Sequence, residues 1–541
     1  MDLEEKIKQI FPAEAEVPGE LNLTEPLEQR HYLVNGELRH WSGPMQEVYS
    51  PVFLNGPQGL SRKFLGRYPL LGETEALEVL EAALRAYDHG HGTWPAMSVL
   101  ERIRHLEQFA FRLGDHKREV ARLLMWEVGK SQRDSEKEFD RTVDYLRATI
   151  EALKELDRVS SRFVIEQGII GQIRRAPLGV VLCAGPYNYP LNETFTTLIP
   201  ALIMGNAVIF KPPKLGVLLY SPLLSAMRDS FPPGVINTVY GRGAQVAGPL
   251  MASGKVDVLS FVGTSKVADV LKKQHPQPHR LRASLGLDAK NPAIILPDAP
   301  MAETVAECLL GGLSFSGQRC TALKLLFVHR AIVDIFLDKL SQAIGRLKFG
   351  MPWEPEVAIT PLAEPQRPGY LQELLEDALA QGARVVNAGG GVMNQSFCYP
   401  AIIYPVHDRM RVFREEQFGP LIPVVPFDDL ETVITGIVNS NYGQQVSIFS
   451  TDDNVVAPLI DRLVTQVGRV NLNSQSQRGP DTFPFTGRKD SAEGTLSVHD
   501  ALRVFSLRTL VAARGSEINK ALITRILRDQ KSNFLSTDFI F

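Results

Sequence analysis

Cysteine and histidine are scarce in this sequence. Four cysteines, Cys183, Cys308, Cys320 and Cys398, are spread over 541 residues without a Cys-x-x-Cys pair, and the 11 histidines are mostly scattered. Structural zinc sites need such residues in close spacing, so we expect no metal site. Widely spaced cysteines also predict free thiols and a reducing, cytoplasmic location.

A long apolar run and an excess of charge are absent as well. The longest apolar region, 179–210, is interrupted by Pro186, Pro190 and Pro200, which does not suit a membrane-spanning helix. The acidic N-terminus has no apolar core of a signal peptide. With 61 acidic and 58 basic residues, the net charge of −3 favours neither nucleic acid nor a membrane surface as a partner.

An alternation of apolar strands and helices begins at residue 178. Apolar runs at 180–184, 207–211, 235–241 and 256–263 are separated by stretches compatible with helices, which predicts a parallel sheet with crossover helices. A second α/β pattern begins near residue 290. We therefore predict an α/β fold in which two domains meet, with a cofactor-using site in the cleft between them.

Several residues fall at the carboxyl ends of the first set of strands, where ligands of such sheets bind. Gly243 and the pair Gly263-Thr264 lie in turns that allow close approach of a pyrophosphate, although each taken singly is better explained as an ordinary turn. Lys211 and Lys214 follow the second strand. A cation at that position favours NADP over NAD, and the alternative is two solvated lysines.

Cys320 is the candidate nucleophile. It lies in the stretch SFSGQRCT, after Gly317 and Arg319. A cysteine attacks as the thiolate, which needs a positive or dipolar environment and room for a substrate. The stretch provides both, but a buried structural cysteine remains the alternative at this point.

Five segments together resemble the aldehyde dehydrogenase superfamily, in its order and at about its spacing. They are PYNYP (186–190), KPP (211–213), FVGT (261–264), GQRC (317–320) and EEQFGP (415–420). Within the superfamily, SGQRCTALK and SQRGPDTFPFTG are most similar to the NADP-dependent, non-phosphorylating glyceraldehyde-3-phosphate dehydrogenases. The resemblance covers roughly residues 30 to 510.

The resemblance implies a mechanism and a set of site residues. Cys320 would attack the aldehyde to form a thiohemiacetal and, after hydride transfer, a thioester. The Asn188 amide and the backbone N–H of Cys320 would stabilise the oxyanion. Glu416 would anchor the nicotinamide ribose, Phe418 would pack near the ring, and Lys211 would hold the adenosine ribose.

The resemblance also implies a phosphorylated substrate. Arg141, Tyr189, Arg319 and Arg478 match positions that bind the substrate phosphate in the glyceraldehyde-3-phosphate group. Arginine suits phosphate because its planar fork donates two hydrogen bonds at once. Most arginines are surface or salt-bridged residues. The prediction therefore depends on these four side chains lying close together in the fold.

One position departs from the pattern. Hydrolytic members carry Glu-Leu-Gly-Gly-Lys ahead of the cysteine, and here Gly286-Leu-Asp-Ala-Lys290 stands there, so the general base is replaced by glycine. General-base help is worth roughly 10²- to 10⁴-fold. Asp288 is a candidate replacement, although it is equally suited to a turn or cap. Alternatively, the thioester leaves to coenzyme A, or the protein binds NADP without turning over.

The resemblance further implies a three-part architecture and assembly into a homodimer or homotetramer, because an extended flap exposes strand edges. The tail hypothetically lies across a neighbouring subunit or covers a cleft. The predicted parts are an arm (1–60, irregular), a Rossmann-like dinucleotide-binding domain (60–158 and 178–288, with about 480–494), a catalytic domain (289–479), a small oligomerisation sheet (159–177 and 495–515) and a tail (516–541).

Overall fold

The structure is a computed structural model that describes residues 2–538; Met1 and residues 539–541, which fall in the predicted arm and tail, lie outside the described part. Two large sheets and a small three-stranded sheet organise the chain. Among the described residues, no helix is long and apolar enough to span a bilayer. Within the same range, no group of three or more His, Cys, Asp or Glu side chains is placed to hold a metal.

The first large sheet has six strands, and all neighbouring pairs are parallel except the last. Its central strands are buried on both faces, as apolar runs such as VVLCA require. In spatial order the strands are Ile236–Thr238, Ala207–Lys211, Val180–Ala184, Val258–Val262, Arg282–Gly286 and Ala492–Glu493. The crossover helices are Asn192–Ile203, Leu223–Ser230, Gly243–Ala252 and Ser265–Gln274.

Four further helices precede this sheet in the chain and pack against its strands, its helices or each other. They occupy the region where the sequence shows helical periodicity, and their apolar stripes are buried. The helices are Glu73–Tyr87, Val99–Gly114, Lys117–Val128 and Gln132–Ser160.

The second large sheet has seven strands and is parallel except at one edge. In spatial order they are Arg384–Val385, Ala401–Tyr404, Leu421–Phe427, Leu323–His329, Asn291–Ile295, Gln445–Phe449 and Arg469–Leu472. The helices of this part are Met301–Leu313, Val333–Gly345, Arg367–Ala380, Leu430–Asn439 and Asp453–Leu463.

The small sheet pairs three antiparallel strands: Phe163–Glu166, Ile169–Pro177 and Ser506–Arg514. A short helix, Val498–Val504, precedes the last of these strands. A helix at Glu517–Arg528 follows. The proposed division into domains stays a prediction.

The expectation of an irregular N-terminal arm is wrong. Residues His31–Val34 and Glu37–His40 form a hairpin, and Met45–Gly56 pairs with Gly59–Pro69. The hairpin turn is Asn35-Gly36, and both residues have positive φ, as a two-residue hairpin turn requires. This Asn-Gly dipeptide was the signal in the sequence that indicated a hairpin.

Candidate active site

Cys320 lies in the loop that precedes strand Leu323–His329. The loop begins with a helical turn, Ser314–Gly317, in which three residues have positive φ. Glycine is required at 317, since a Cβ atom there would lie 2.4 Å from the carbonyl oxygen of Gly419. The two loops therefore pack backbone to backbone, and this holds the partly exposed Cys320 at the edge of the sheet.

The charges beside the thiol act in opposite directions. Burial raises the pKa of Cys320, and the Glu416 carboxylate raises it further. The Lys324 ammonium and the Gln444 amide both lower this pKa. Lys324 is buried, and its Nζ donates to the carbonyl oxygen of Cys320 at 3.2 Å and to the Glu416 carboxylate. A buried cation, Lys324, therefore lies four residues after the candidate nucleophile in the chain.

Asn188 approaches the nucleophile loop from the first sheet. Its Nδ2 donates to the carbonyl oxygen of Gln318 at 2.9 Å, two residues before Cys320. Lys130 donates to the carbonyl oxygen of Asn188 at 2.8 Å and forms a buried ion pair with Glu138. One hydrogen of the Asn188 amide remains for an oxyanion, in an orientation set by its neighbours.

The Lys130–Glu138 pair fixes the rest of this loop. The Glu138 carboxylate accepts from the backbone N–H groups of Leu191 and Asn192, at 3.0 and 3.1 Å. The Lys130 ammonium also lies 3.7 Å from the centroid of the Tyr189 ring. A buried ion pair with these additional hydrogen bonds holds the predicted oxyanion amide and the predicted substrate tyrosine in one arrangement.

The position of the missing base has room for a side chain. A Cβ atom on Gly286 would meet Leu496 and Val262 side chains at 3.5 Å, which is ordinary van der Waals contact. Asp288 does not fill the gap, because its Oδ2 accepts from both the N–H and the hydroxyl of Ser265, each at 2.8 Å. Asp288 therefore caps helix Ser265–Gln274, and the geometry does not support its prediction as the base.

Glu416 and Phe418 lie on the loop opposite Cys320. The Glu416 carboxylate accepts from the backbone N–H of Ala289 at 3.1 Å as well as from Lys324. Burial raises the pKa of Glu416, and Lys324 acts against this. The ring of Phe418 lies 5.9 Å from that of Tyr187, next to Asn188 in the chain.

Lys211 ends its strand at the carboxyl edge of the first sheet. Burial lowers the pKa of its ammonium to about 8, and the ammonium donates to the carbonyl oxygen of Pro212 at 3.1 Å. Among residues 2–538, no carboxylate forms a salt bridge with it. Lys214 is exposed. A half-buried cation without a counter-ion suits an anionic or hydroxyl-rich ligand.

Two helix N-termini face the same edge. Gly243 begins helix Gly243–Ala252 and has open space where a Cβ would be. Thr264 caps the neighbouring helix through its hydroxyl, and a Cβ on Gly263 would lie 2.3 Å from the Phe261 ring. Exposed N–H groups and the helix dipoles favour a phosphate here. The residues present fit a dinucleotide cofactor.

Arg141 and Arg478 are joined by a carboxylate. Asp481 accepts from Nε and Nη2 of Arg141 at 2.9 and 2.7 Å, and from Nε of Arg478 at 3.2 Å. Arg478 is buried, and it also pairs with Glu193 and donates to the carbonyl oxygen of Leu496. Its predicted role in binding phosphate stays a prediction.

Arg319 makes its own hydrogen bonds, with partners that Arg141 and Arg478 do not share. One terminal nitrogen donates to the carbonyl oxygen of Gly311 at 3.0 Å and to Gln475 at 3.2 Å. Its Nε is buried without a hydrogen-bond partner. Tyr189 completes the predicted group, and burial raises the pKa of its hydroxyl to about 12, so it stays protonated and able to donate.

Comparison with known proteins gives one family. The sequence profile described as the aldehyde dehydrogenase family matches residues 57–511. The chain belongs to the aldehyde dehydrogenase family. The match confirms the resemblance seen in the motifs. As a member of this family, the chain is an enzyme. The segment after residue 511 lies outside the match.

Individual relatives agree with this assignment. The chain is 31% identical over 486 residues to the NADP-dependent glyceraldehyde-3-phosphate dehydrogenase of Triticum aestivum, with 88% of this chain and 93% of the relative covered. It is 27% identical over 457 residues to a lactaldehyde dehydrogenase of Methanococcus aeolicus, with 83% and 95% covered.

A solved aldehyde dehydrogenase structure confirms the α/β fold. The NADP-dependent glyceraldehyde-3-phosphate dehydrogenase of Bacillus halodurans C-125, complexed with NADP, superposes with a TM-score of 0.82 at 29% identity. The alignment covers 91% of this chain and all of the solved chain.

Several site residues were missed by sequence reasoning. Lys324 had a local signal, since it lies four residues after the cysteine. Lys130 and Gln444 had none, because their contacts join segments distant in sequence. Glu193 and Asp481 likewise emerge only from their partners. All five are charged or polar and mostly buried, which is the property that identifies them.

Proposed function

We propose that this enzyme oxidises glyceraldehyde 3-phosphate, or a closely similar phosphorylated aldehyde, to the acid with NADP. The observation that carries the proposal is the hydrogen bond from the Asn188 amide to the Gln318 carbonyl oxygen. It joins the loop of the candidate oxyanion donor, which follows a strand of the first sheet, to the loop of the candidate nucleophile, which precedes a strand of the second.

The reaction begins with the thiolate of Cys320, which attacks the aldehyde carbon. The resulting oxyanion accepts hydrogen bonds from the Asn188 amide and from the backbone N–H of Cys320. Collapse of this oxyanion expels a hydride and leaves an acyl thioester on Cys320. Lys324 supports the first step because its positive charge favours the thiolate.

NADP, when bound, supplies the hydride acceptor. Lys211 would hold the adenosine ribose, and the N-termini at Gly243 and Thr264 would hold the phosphates. Glu416 would bind the nicotinamide ribose and Phe418 would lie near the ring. The choice of NADP over NAD is supported by Lys211 and Lys214 and by the cofactor named for the wheat and Bacillus relatives.

The phosphate of the substrate would meet Arg141 and Arg319, with Tyr189 as a hydroxyl donor. Arg141 is partly exposed and retains N–H groups beyond those bound to Asp481. Arg319 retains its buried Nε. The substrate named for the wheat relative supports this choice over the lactaldehyde named for the Methanococcus relative.

Deacylation distinguishes this proposal from a second candidate. Gly286 leaves no side chain to activate water at the usual place, and Asp288 is engaged by Ser265. This specific observation favours coenzyme A as an alternative acyl acceptor, which would make the enzyme an acylating dehydrogenase.

A stopped-flow experiment tests both. NADP and glyceraldehyde 3-phosphate are mixed with enzyme, and NADPH absorbance is followed with and without coenzyme A. Sustained turnover without coenzyme A supports hydrolysis, and acceleration by coenzyme A supports the acylating candidate. Absence of even one equivalent of NADPH would contradict the proposed activity.

We also propose that the enzyme is a cytoplasmic homodimer or homotetramer. The small sheet leaves apolar side chains exposed, among them Ile165 (72%) and Leu510 (57%), and a second copy of the chain would cover them. A single monomeric species in light scattering would contradict this assembly.

A further inference from the structure

Glu193 is a buried carboxylate paired with Arg478, one of the arginines predicted to bind the substrate phosphate. It is the second residue of helix Asn192–Ile203 and is 6% exposed. Its one charged partner among the described residues is Arg478, which is 5% exposed. By contrast, the side chain of Arg141 is 29% exposed. Arg478 is thus neutralised within the protein rather than presented to the cleft.

The surroundings of Arg478 leave it little freedom. Its Nη1 donates to Glu193, its Nε to Asp481 at 3.2 Å and its Nη2 to the carbonyl oxygen of Leu496 at 3.2 Å. The guanidinium also lies 4.6 Å from the centroid of the Phe485 ring. A ligand that drew Arg478 away would leave the Glu193 carboxylate buried and unpaired, which is strongly unfavourable.

The charge of the substrate site follows from this pairing. Arg141 and Arg478 pair with the carboxylates Asp481 and Glu193, whereas Arg319 has no carboxylate partner among the described residues, so these five side chains together carry a single net positive charge. A phosphate monoester carries close to two negative charges at neutral pH. The site therefore balances only part of the charge of a phosphorylated substrate.

We propose that Glu193 is a specificity-determining residue that restrains the preference of this enzyme for phosphorylated aldehydes. Phosphate binds through Arg141 and Arg319, and Arg478 contributes no net charge because Glu193 cancels it. The wild-type enzyme accordingly accepts short hydroxyaldehydes without a phosphate as well. This inference rests on the proposed function.

The test compares glyceraldehyde 3-phosphate with glyceraldehyde as the ratio of their kcat/KM values in single-turnover NADPH formation. Glu193→Gln keeps the shape of the side chain and removes its charge, so the ratio is expected to rise about five- to tenfold. The double variant Glu193→Gln/Arg478→Gln removes the pair without changing net charge, and its ratio is expected to stay within about twofold of wild type. Glu155→Gln, at an exposed ion pair, is the matched control.

Two results would overturn the inference. If Glu193→Gln changes both substrates equally, the residue is only structural. If the double variant loses about tenfold or more of the ratio, Arg478 binds phosphate directly. Thermal unfolding of each variant accompanies the kinetics, and the charge-neutral double variant decides the question if Glu193→Gln does not fold.

Failure of the proposed function is recognised separately. If wild-type enzyme forms no NADPH from glyceraldehyde 3-phosphate, inorganic phosphate is used as the probe, through its protection of Cys320 against iodoacetamide. The half-protecting phosphate concentration is expected to fall about fivefold in Glu193→Gln. An unchanged half-protecting concentration would overturn the role of Glu193. This conclusion would hold even if glyceraldehyde 3-phosphate is not the substrate.

Discussion

The two halves of the proposed reaction, acylation of Cys320 and deacylation by a base near Gly286, differ in the number of side chains that surround them. We call these regions the acylation side and the deacylation side. Around Cys320, the Asn188 amide is oriented by Gln318 and Lys130, and Lys324 supplies a cation. Around Gly286 there is no titratable side chain at the position of the usual base, and Asp288, two residues on, is tied to Ser265.

This difference teaches that covalent attack and hydrolysis are separable properties of the fold. The groups proposed to stabilise the first oxyanion lie beside both sheets, and the buried Lys130–Glu138 ion pair holds the loop of one of them, Asn188. Water activation depends on one side chain, which can be lost without disturbing the rest because Gly286 lies in an ordinary strand. The enzyme is therefore expected to acylate well and to deacylate slowly.

Removal of the nucleophile gives the largest expected effect. Cys320→Ser should reduce the rate of NADPH formation about 10³-fold or more, because a serine hydroxyl without a neighbouring base is a poor nucleophile. Stopped-flow absorbance measures this. Cys308→Ala removes a buried thiol elsewhere and should keep the burst. An unchanged burst in Cys320→Ser would contradict the proposal that Cys320 is the nucleophile.

Removal of the oxyanion donor is next. Asn188→Ala should slow the burst about 10²- to 10³-fold, the usual cost of one oxyanion donor. The rate of Cys320 alkylation by iodoacetamide needs no oxyanion donor and should change little. Equal losses in both rates would show that Asn188 supports the loop and not the oxyanion.

The deacylation side is tested by restoring a base. Gly286→Glu should leave the burst intact and raise steady-state turnover about 100-fold, within the range of general-base catalysis. The Cβ position has ordinary contacts, so the backbone need not move. Gly286→Gln is the matched control without a base. Fast steady-state turnover already present in wild type would show that another group activates water.

The smallest effect concerns pH. Lys324→Met removes a cation that favours the thiolate, so the pKa of Cys320 should rise and alkylation below that pKa should slow severalfold. The pH profile of iodoacetamide labelling measures the shift towards higher pH. Lys339→Met, at an exposed position, should leave the profile unchanged. A shift to lower pH in Lys324→Met would contradict the assigned charge effect.

Much of the fold was accessible from the sequence. Apolar runs separated by helix-compatible stretches predicted the parallel strands, and five motifs together predicted the family. The arm was predicted to be irregular although Asn35-Gly36 is typical of a hairpin turn. Asp288 was considered as a base because it is near Gly286 in sequence, but the helix N-terminus at Ser265 takes its carboxylate.

The sequence by itself determined the family, the α/β alternation and the absence of a base side chain at Gly286, because these are properties of local pattern and residue identity. Only the tertiary structure decided which charged side chains pair with one another. The pairs of Glu193 with Arg478 and of Lys130 with Glu138 depend on burial, and burial is set by contacts between distant segments. A carboxylate alters the charge of a site only when contacts between distant segments bring it there.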